Sequence, residues 1–326
     1  MNTVEGPGGL PFILVDTPRC RARLTSHGAH VCEWTPAGQS SPVLFLSPRA
    51  VFARDKAIRG RVPVCFAWFG AHPTDPGKPQ HGFARTHAWG VESVVQDPNT
   101  DTRVVFRLLS GSDTMALWDA DFVAQLTVAV GATLEMTFEV ENTAEQPFVY
   151  EAAPHAYLAI GDIAQVSVHG LAGTRFLDKT DGQREKRLDD APLTFDGKVD
   201  RTFLDTTAAC TVHDPVLGRQ IRIDKIGSGA TVVWNPGRAK GLAMADLGDA
   251  WQHFVCVGTA NCGPLAVRLS PGERHTMTSR ITATPAPRWP RRSRRSSGLR
   301  RRYPANSVLH DRPAHFTAPM VRPRTM

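Results

Sequence analysis

The chain has 326 residues, 41% of them hydrophobic and 21% charged, which supplies a core and is too apolar for general disorder. Eleven of its 38 basic residues and one of its 31 acidic residues lie in 285–326, so the formal +7 divides into −3 for residues 1–284 and +10 for the rest. Apolar stretches of only a few residues exclude a membrane-spanning helix, and Met1–Asp16 lacks the basic-then-apolar pattern of a secretory signal, so a soluble, cytoplasmic protein with no membrane partner is expected.

In chain order, strands are expected at Phe12–Val15, Val31–Trp34, Thr102–Leu108, Phe122–Val130 and Leu134–Val140. In the last of these, Leu134, Met136, Phe138 and Val140 alternate with Glu135, Thr137 and Glu139, the two-residue period of a half-buried strand. Further runs follow at Gln165–Val168, Ala209–Val212, Gln220–Ile223, Thr231–Trp234 and Leu265–Leu269. Turn-forming residues separate them, as in Asn235-Pro-Gly and Ser270-Pro-Gly, and 25 prolines and 27 glycines fit many short strands. Short helical turns are expected near Trp118–Asp121 and Asp246–His253, with no long amphipathic helix to cover a parallel sheet. The resulting fold class is all-β, a large antiparallel sandwich over residues 1–284. Residues 285–326, rich in Arg and Pro with no hydrophobic period, are expected to be a disordered tail. That tail is read as a solvated extension, nucleic acid being the partner it would take if it took one.

Six cysteines without a C-x-x-C pair (Cys20, Cys32, Cys65, Cys210, Cys256, Cys262) read as buried thiols, with neither a metal site nor a disulfide framework indicated. Three segments carry candidate chemistry. In Ile58–Gly70 and Gln80–Arg85, Arg59 and Arg85 form a potential two-guanidinium clamp for a phosphate or carboxylate. Phe66, Trp68, Phe69 and Phe83 offer apolar faces for a sugar ring, the alternative being that they are core and the arginines exposed. In Ala152–Asp162, His155 interrupts a small, apolar stretch; it is either a satisfied core histidine or a proton donor titrating near neutrality. Asp200, in Gly197–Phe203, is a potential acceptor for sugar hydroxyls or a turn residue pairing with Arg201. Glu273 lies in a turn and is not expected to reach any site.

The strings I-R-G-x-V-P-V-C-F-x-W-F-G, H-G-F-A-R, G-L-A-G-T-R-F-L-D-K, D-R-T-F-L-D-T, V-V-W-N-P-G and F-V-C-V occur in order within about residues 12–284. Together they resemble the hexose-6-phosphate mutarotase (glucose-6-phosphate 1-epimerase-like) group of the aldose 1-epimerase superfamily. The resemblance implies a galactose mutarotase-type β-sandwich acting on a phosphorylated hexose without metal or organic cofactor, and a monomer is expected. It also implies that Arg59 and Arg85 bind the phosphate, that Gln80, His81 and Asp200 contact the sugar, and that His155, as imidazolium, protonates the ring oxygen while a base removes the C1 hydroxyl proton. Three features depart from the pattern, one being Pro154-His-Ala-Tyr where the family carries a bulkier, Thr- and Phe-containing stretch. The family's base glutamate, directly after the run matching Phe254–Val257, is Gly258 here, and Arg61 replaces the second glycine of R-G-G. An isomerase interconverting anomers is therefore expected, the alternative being a homologue that binds sugar phosphate with impaired turnover.

Overall fold

The computed structural model describes residues 3–97 and 100–286. They belong to a compact unit, Met1–Pro287; the second unit, Arg288–Met326, and with it the arginine-rich tail, lies outside the described residues. An eight-stranded sheet runs, edge to edge, through Ser167–His169, Cys210–Asp214, Arg219–Ile226, Arg274–Pro285, Leu134–Asn142, Phe122–Val130, Thr102–Leu109 and Gly90–Val95. A six-stranded sheet runs through Tyr157–Ala159, Phe254–Ala260, Ala230–Asn235, Val199–Phe203, Arg175–Asp178 and Arg184–Arg187. Smaller sheets of four and three strands complete the sandwich, and the strand pairs within the two large sheets are all antiparallel.

Period-two patterning explains which faces meet. Leu134, Met136, Phe138 and Val140 are buried while Glu135, Thr137 and Glu139 are half-exposed, as their alternation requires. The main core joins these residues to Val233, Val255 and Val257 of the six-stranded sheet. On Phe254–Ala260 the odd-numbered valines enter that core, whereas Phe254 and Cys256 pack on the opposite face with Tyr157. The strand Phe254–Ala260 is thus buried on both faces.

Local chemistry corrects two expectations. The helical turn expected at Trp118–Asp121 forms earlier, at Ser112–Met115, where the Thr114 hydroxyl accepts the Gly111 N–H. The short helix Gly237–Ala243 has no helical periodicity in its sequence and follows Asn235, whose side-chain oxygen accepts the Gly237 N–H. Expected cores hold well, and all six cysteines are buried.

Arg61 stands where the resemblance places glycine, and its backbone is left-handed (φ 64°), a conformation that costs a side-chain-bearing residue about 1–2 kcal/mol. Its Nε and Nη1 are also buried without hydrogen-bond partners, and burial pulls the guanidinium pKa down. Arg61→Gly is accordingly expected to stabilise the fold by about 1 kcal/mol, after allowing for the greater freedom of glycine in the unfolded chain. A urea midpoint unchanged or lowered by this substitution would count against strain at the position.

Candidate active site

The outer face of the six-stranded sheet carries a cavity of about 420 Å³, within the size range of small-molecule sites. Its floor comes from adjacent strands: Asp200 sits opposite Trp234 in register, and Tyr157 opposite Cys256. Its rim comes from the segments around Arg59 and Gln80–Arg85. Arg59, Gln80, His81, Arg85, His155 and Asp200 all line this one cavity.

The rim is held by close backbone crossings. The Phe83 N–H donates to the Phe66 carbonyl, and a Cβ on Gly82 would lie 1.9 Å from that same oxygen. Only glycine permits this approach, which is why H-G-F-A-R needs its glycine and how Arg85 reaches the cavity mouth. His81 precedes it with φ 64°, a strained conformation fixed by its N–H donating to Gly70 O and its Nδ1 accepting from Gly70 N. His155 is placed by its own N–H, which donates to Pro63 O at 3.0 Å, with Tyr157 N–H donating to Arg61 O nearby.

The two arginines are prepared differently. Arg59 Nε donates to Asp246 Oδ2 at 2.9 Å and Nη1 to the Tyr157 hydroxyl at 3.1 Å. Burial opposes its charge, yet Tyr157 and Asp246 hold its pKa above the ordinary guanidinium value. Arg85 donates through Nη2 to the Gln80 carbonyl at 2.6 Å and makes no ion pair among the described residues. Gln80 therefore supports Arg85 through its backbone, beside any contact its exposed side chain makes.

His155 is 7% exposed, and its Nδ1 is buried with no hydrogen-bond partner. Burial, then Lys179, Arg85 and Arg59, pull its pKa down to about 3, so the ring is neutral near pH 7. A proton on Nδ1 would be an orphaned buried donor, and the hydrogen-bond inventory therefore assigns it to Nε2. His81 is likewise neutral, its pKa lowered to about 2 by burial and by Arg85, and its bonded Nδ1 leaves Nε2 as the donor. In the unliganded protein, burial and three nearby cationic side chains thus favour a neutral ring that offers an N–H, where the resemblance implies an imidazolium.

Gly258 explains why Nδ1 is alone. It lies inside the strand Phe254–Ala260 rather than after it, paired with Val232, and a Cβ there would stand 2.9 Å from His155 Nδ1. The imidazole packs onto bare backbone where a longer residue would push it away.

Several expectations need revision. Phe66 and Phe83 are wholly buried and Trp68 nearly so, their edges locked in an aromatic cluster; of the four aromatics named, Phe69 alone lines the cavity. Asp200 is a strand residue, not a turn residue, and its neighbour Arg201 turns to the other face to lie 4.7 Å over the Phe176 ring. Glu273 closes its own turn by accepting the Ser270 N–H at 2.8 Å. Lys179, Lys240, Tyr157 and Trp234 line the cavity without having been singled out. Lys179 had a signal, since it ends the Phe176-Leu-Asp-Lys run, and Tyr157 lies two residues beyond His155. Lys179 Nζ rests 4.6 Å over Phe69, whose ring lies 5.9 Å from that of His155.

Arg59, Arg85, Lys179 and Lys240 thus face a cavity whose one lining carboxylate, among the described residues, is Asp200. Burial raises the Asp200 pKa against the lowering pull of Lys179, Lys198 and Lys240. A β-sandwich with an open, cationic cavity on one sheet and a neutral histidine at its floor is built to take an anionic small molecule. Comparison with known proteins narrows that class. Residues 11–282 match the family described as aldose 1-epimerase, and the chain belongs to that family. A Salmonella typhimurium protein named "Putative glucose-6-phosphate 1-epimerase" is 38% identical over 251 residues, covering 77% of this chain and 83% of that one. A plant relative of the same name, from Cenchrus ciliaris, is 30% identical over 293 residues, covering 87% and 88%. The crystal structure of a "putative mutarotase" from Salmonella typhimurium superposes with a TM-score of 0.79 at 33% identity, covering 85% of this chain and 91% of that one. The galactose mutarotase-type sandwich expected from the motifs is therefore the fold of this protein.

Proposed function

We propose that the protein interconverts the α and β anomers of a hexose 6-phosphate. The observation carrying this reading is the excess of cations over carboxylates around a sugar-sized cavity with His155 at its floor. Arg59, pre-aimed by Asp246 and Tyr157, and Arg85, carried by the Gly82 crossing, supply the forked donors that suit a phosphate. Trp234 and Phe69 provide apolar surface for the ring, and Asp200 accepts from its hydroxyls. His155, protonated once the substrate phosphate is bound, gives its Nε2 proton to the ring oxygen as the bond from that oxygen to C1 breaks, and solvent water entering the open cavity takes the C1 hydroxyl proton. A dianionic phosphate seated on Arg59 and Arg85 offsets two of the three cations that depress the imidazole, so the bound substrate itself raises the proton affinity of His155. After ring opening the C1 aldehyde rotates, and reclosure by the reverse proton transfers gives either anomer.

A second reading is favoured by Gly258. Among the described residues no carboxylate acts on His155 or stands ready to take the C1 hydroxyl proton, and a positioned base contributes about 10²–10⁴-fold. Binding without appreciable turnover is the alternative. Polarimetry or NMR on freshly dissolved α-glucose 6-phosphate separates the two: acceleration abolished by His155→Ala supports the enzyme. Calorimetric binding with no acceleration supports the binder, and absence of both removes the hexose phosphate.

A further inference from the structure

Toward His155 the cavity presents two donors, Lys179 and the imidazole N–H, while Asp200, the one lining carboxylate among the described residues, lies within electrostatic reach of Lys179. A C1 hydroxyl is itself a donor and needs a partner that accepts. At that end His155 has one nitrogen packed against Gly258 and the other carrying its proton. Lys179, the strongest of the charges acting on His155, makes no ion pair among the described residues and shares the Phe69 ring with it. With glutamate at position 258 an anion here would be repelled; with glycine it meets an ammonium and an imidazole N–H.

We infer that the cavity also binds aldonic acid phosphates, hexonates with a carboxylate at C1 and a phosphate at C6, using Lys179 and His155 Nε2 as donors to that carboxylate. This rests on the hexose 6-phosphate reading, which sets the ligand's direction. A carboxylate is acceptor-only and ionised above pH of about 4, so it takes both donors in charge-assisted bonds, where a hydroxyl oxygen accepts without charge and must also place its own proton. The open chain of a hexonate lets its two anionic ends reach the arginine pair and Lys179 together. A sugar acid phosphate of this kind is the product of oxidising the same hexose phosphate at C1, so the site would respond to the oxidised as well as the reduced form of one carbon skeleton.

Calorimetry on the full chain at about 0.15 M salt, where surface attraction is screened, tests this with 6-phosphogluconate, glucose 6-phosphate and inorganic phosphate. The expected result is binding of 6-phosphogluconate about tenfold tighter than glucose 6-phosphate, a ratio that Lys179→Met reduces to near unity and Lys179→Arg retains. Gly258→Glu is expected to reverse the ratio. Equal or weaker binding of 6-phosphogluconate overturns the inference while leaving the hexose phosphate reading intact, as does a Lys179→Met variant that weakens both sugars equally. If neither sugar binds more tightly than inorganic phosphate, the hexose 6-phosphate reading falls and takes this inference with it. Circular dichroism of each variant identifies any loss that is merely unfolding.

Discussion

Gly258→Glu is expected to raise the rate of anomer interconversion about 10²–10⁴-fold over the unaltered chain, the ordinary contribution of a positioned general base. The substitution is not free of cost. Its Cβ arrives 2.9 Å from His155 Nδ1, closer than atoms of the two side chains can sit, so the imidazole must swing toward the cavity. That movement also gives Nδ1 what it now lacks, because a carboxylate beside it accepts an N–H that would otherwise be orphaned in the core. The same negative charge opposes the pull of Lys179, Arg85 and Arg59 and should lift the His155 pKa from about 3 toward neutrality. NMR exchange between the anomers of glucose 6-phosphate provides the rate, and the imidazole carbon resonance of His155 followed against pH provides the titration. An inert variant with His155 still untitrated above pH 5 would show that more than one carboxylate separates this pocket from a working one.

The second large effect is acid sensitivity. His30 and His155 are enclosed, each with a pKa lowered to about 3, chiefly by burial, and His81 is lowered to about 2 by burial and Arg85. In the unfolded chain each titrates near 6.5. Below that value the unfolded state takes up protons that the native state refuses, so stability is full above about pH 6.5 and declines as the pH falls toward 3. Each enclosed imidazole contributes a slope of about 1.4 kcal/mol per pH unit, giving about 3 for the pair, and His81 adds less because it is partly solvated. Set against a typical total of about 5–15 kcal/mol, this should bring unfolding within reach between pH 4 and 5. Urea midpoints measured from pH 8 to pH 4 should drop steeply below 6.5, and His30→Gln should flatten the curve by about one proton. A midpoint constant over that range is incompatible with neutral, enclosed histidines.

The strands most legible in the sequence were those with one wet face. Phe122–Val130 matches its expected bounds, with Phe122, Ala124 and Leu126 buried and Val123, Gln125 and Thr127 half-exposed. Val64–Ala67, with all four residues buried, carries no period and escaped notice, as did Arg184–Arg187, with all four exposed. Val199–Phe203 hid its character behind Asp200 and Arg201, polar residues that a turn would also use, although each finds its own face. Site residues showed the same limit. Arg59, Arg85 and His155 stood out as charged or titratable groups in apolar surroundings, and the fold gathers them. The charge state of His155 was not legible, because it depends on which cations the fold brings near. Lys179 is distant in sequence from His155 and reaches it only through the six-stranded sheet and Phe69.

Glu151 holds the wall behind all of this. Its two carboxylate oxygens accept from the Phe69 N–H at 2.7 Å and the Gly263 N–H at 2.5 Å, tying the loop that carries Phe69 to the turn Gly263–Leu265 that follows the strand containing Gly258. Phe69 is in turn the ring on which Lys179, His81 and His155 all lean. One acidic side chain outside the cavity therefore sets the spacing of three cationic or imidazole groups inside it. The residue at position 258 can therefore change while those groups stay in place, as long as that brace remains.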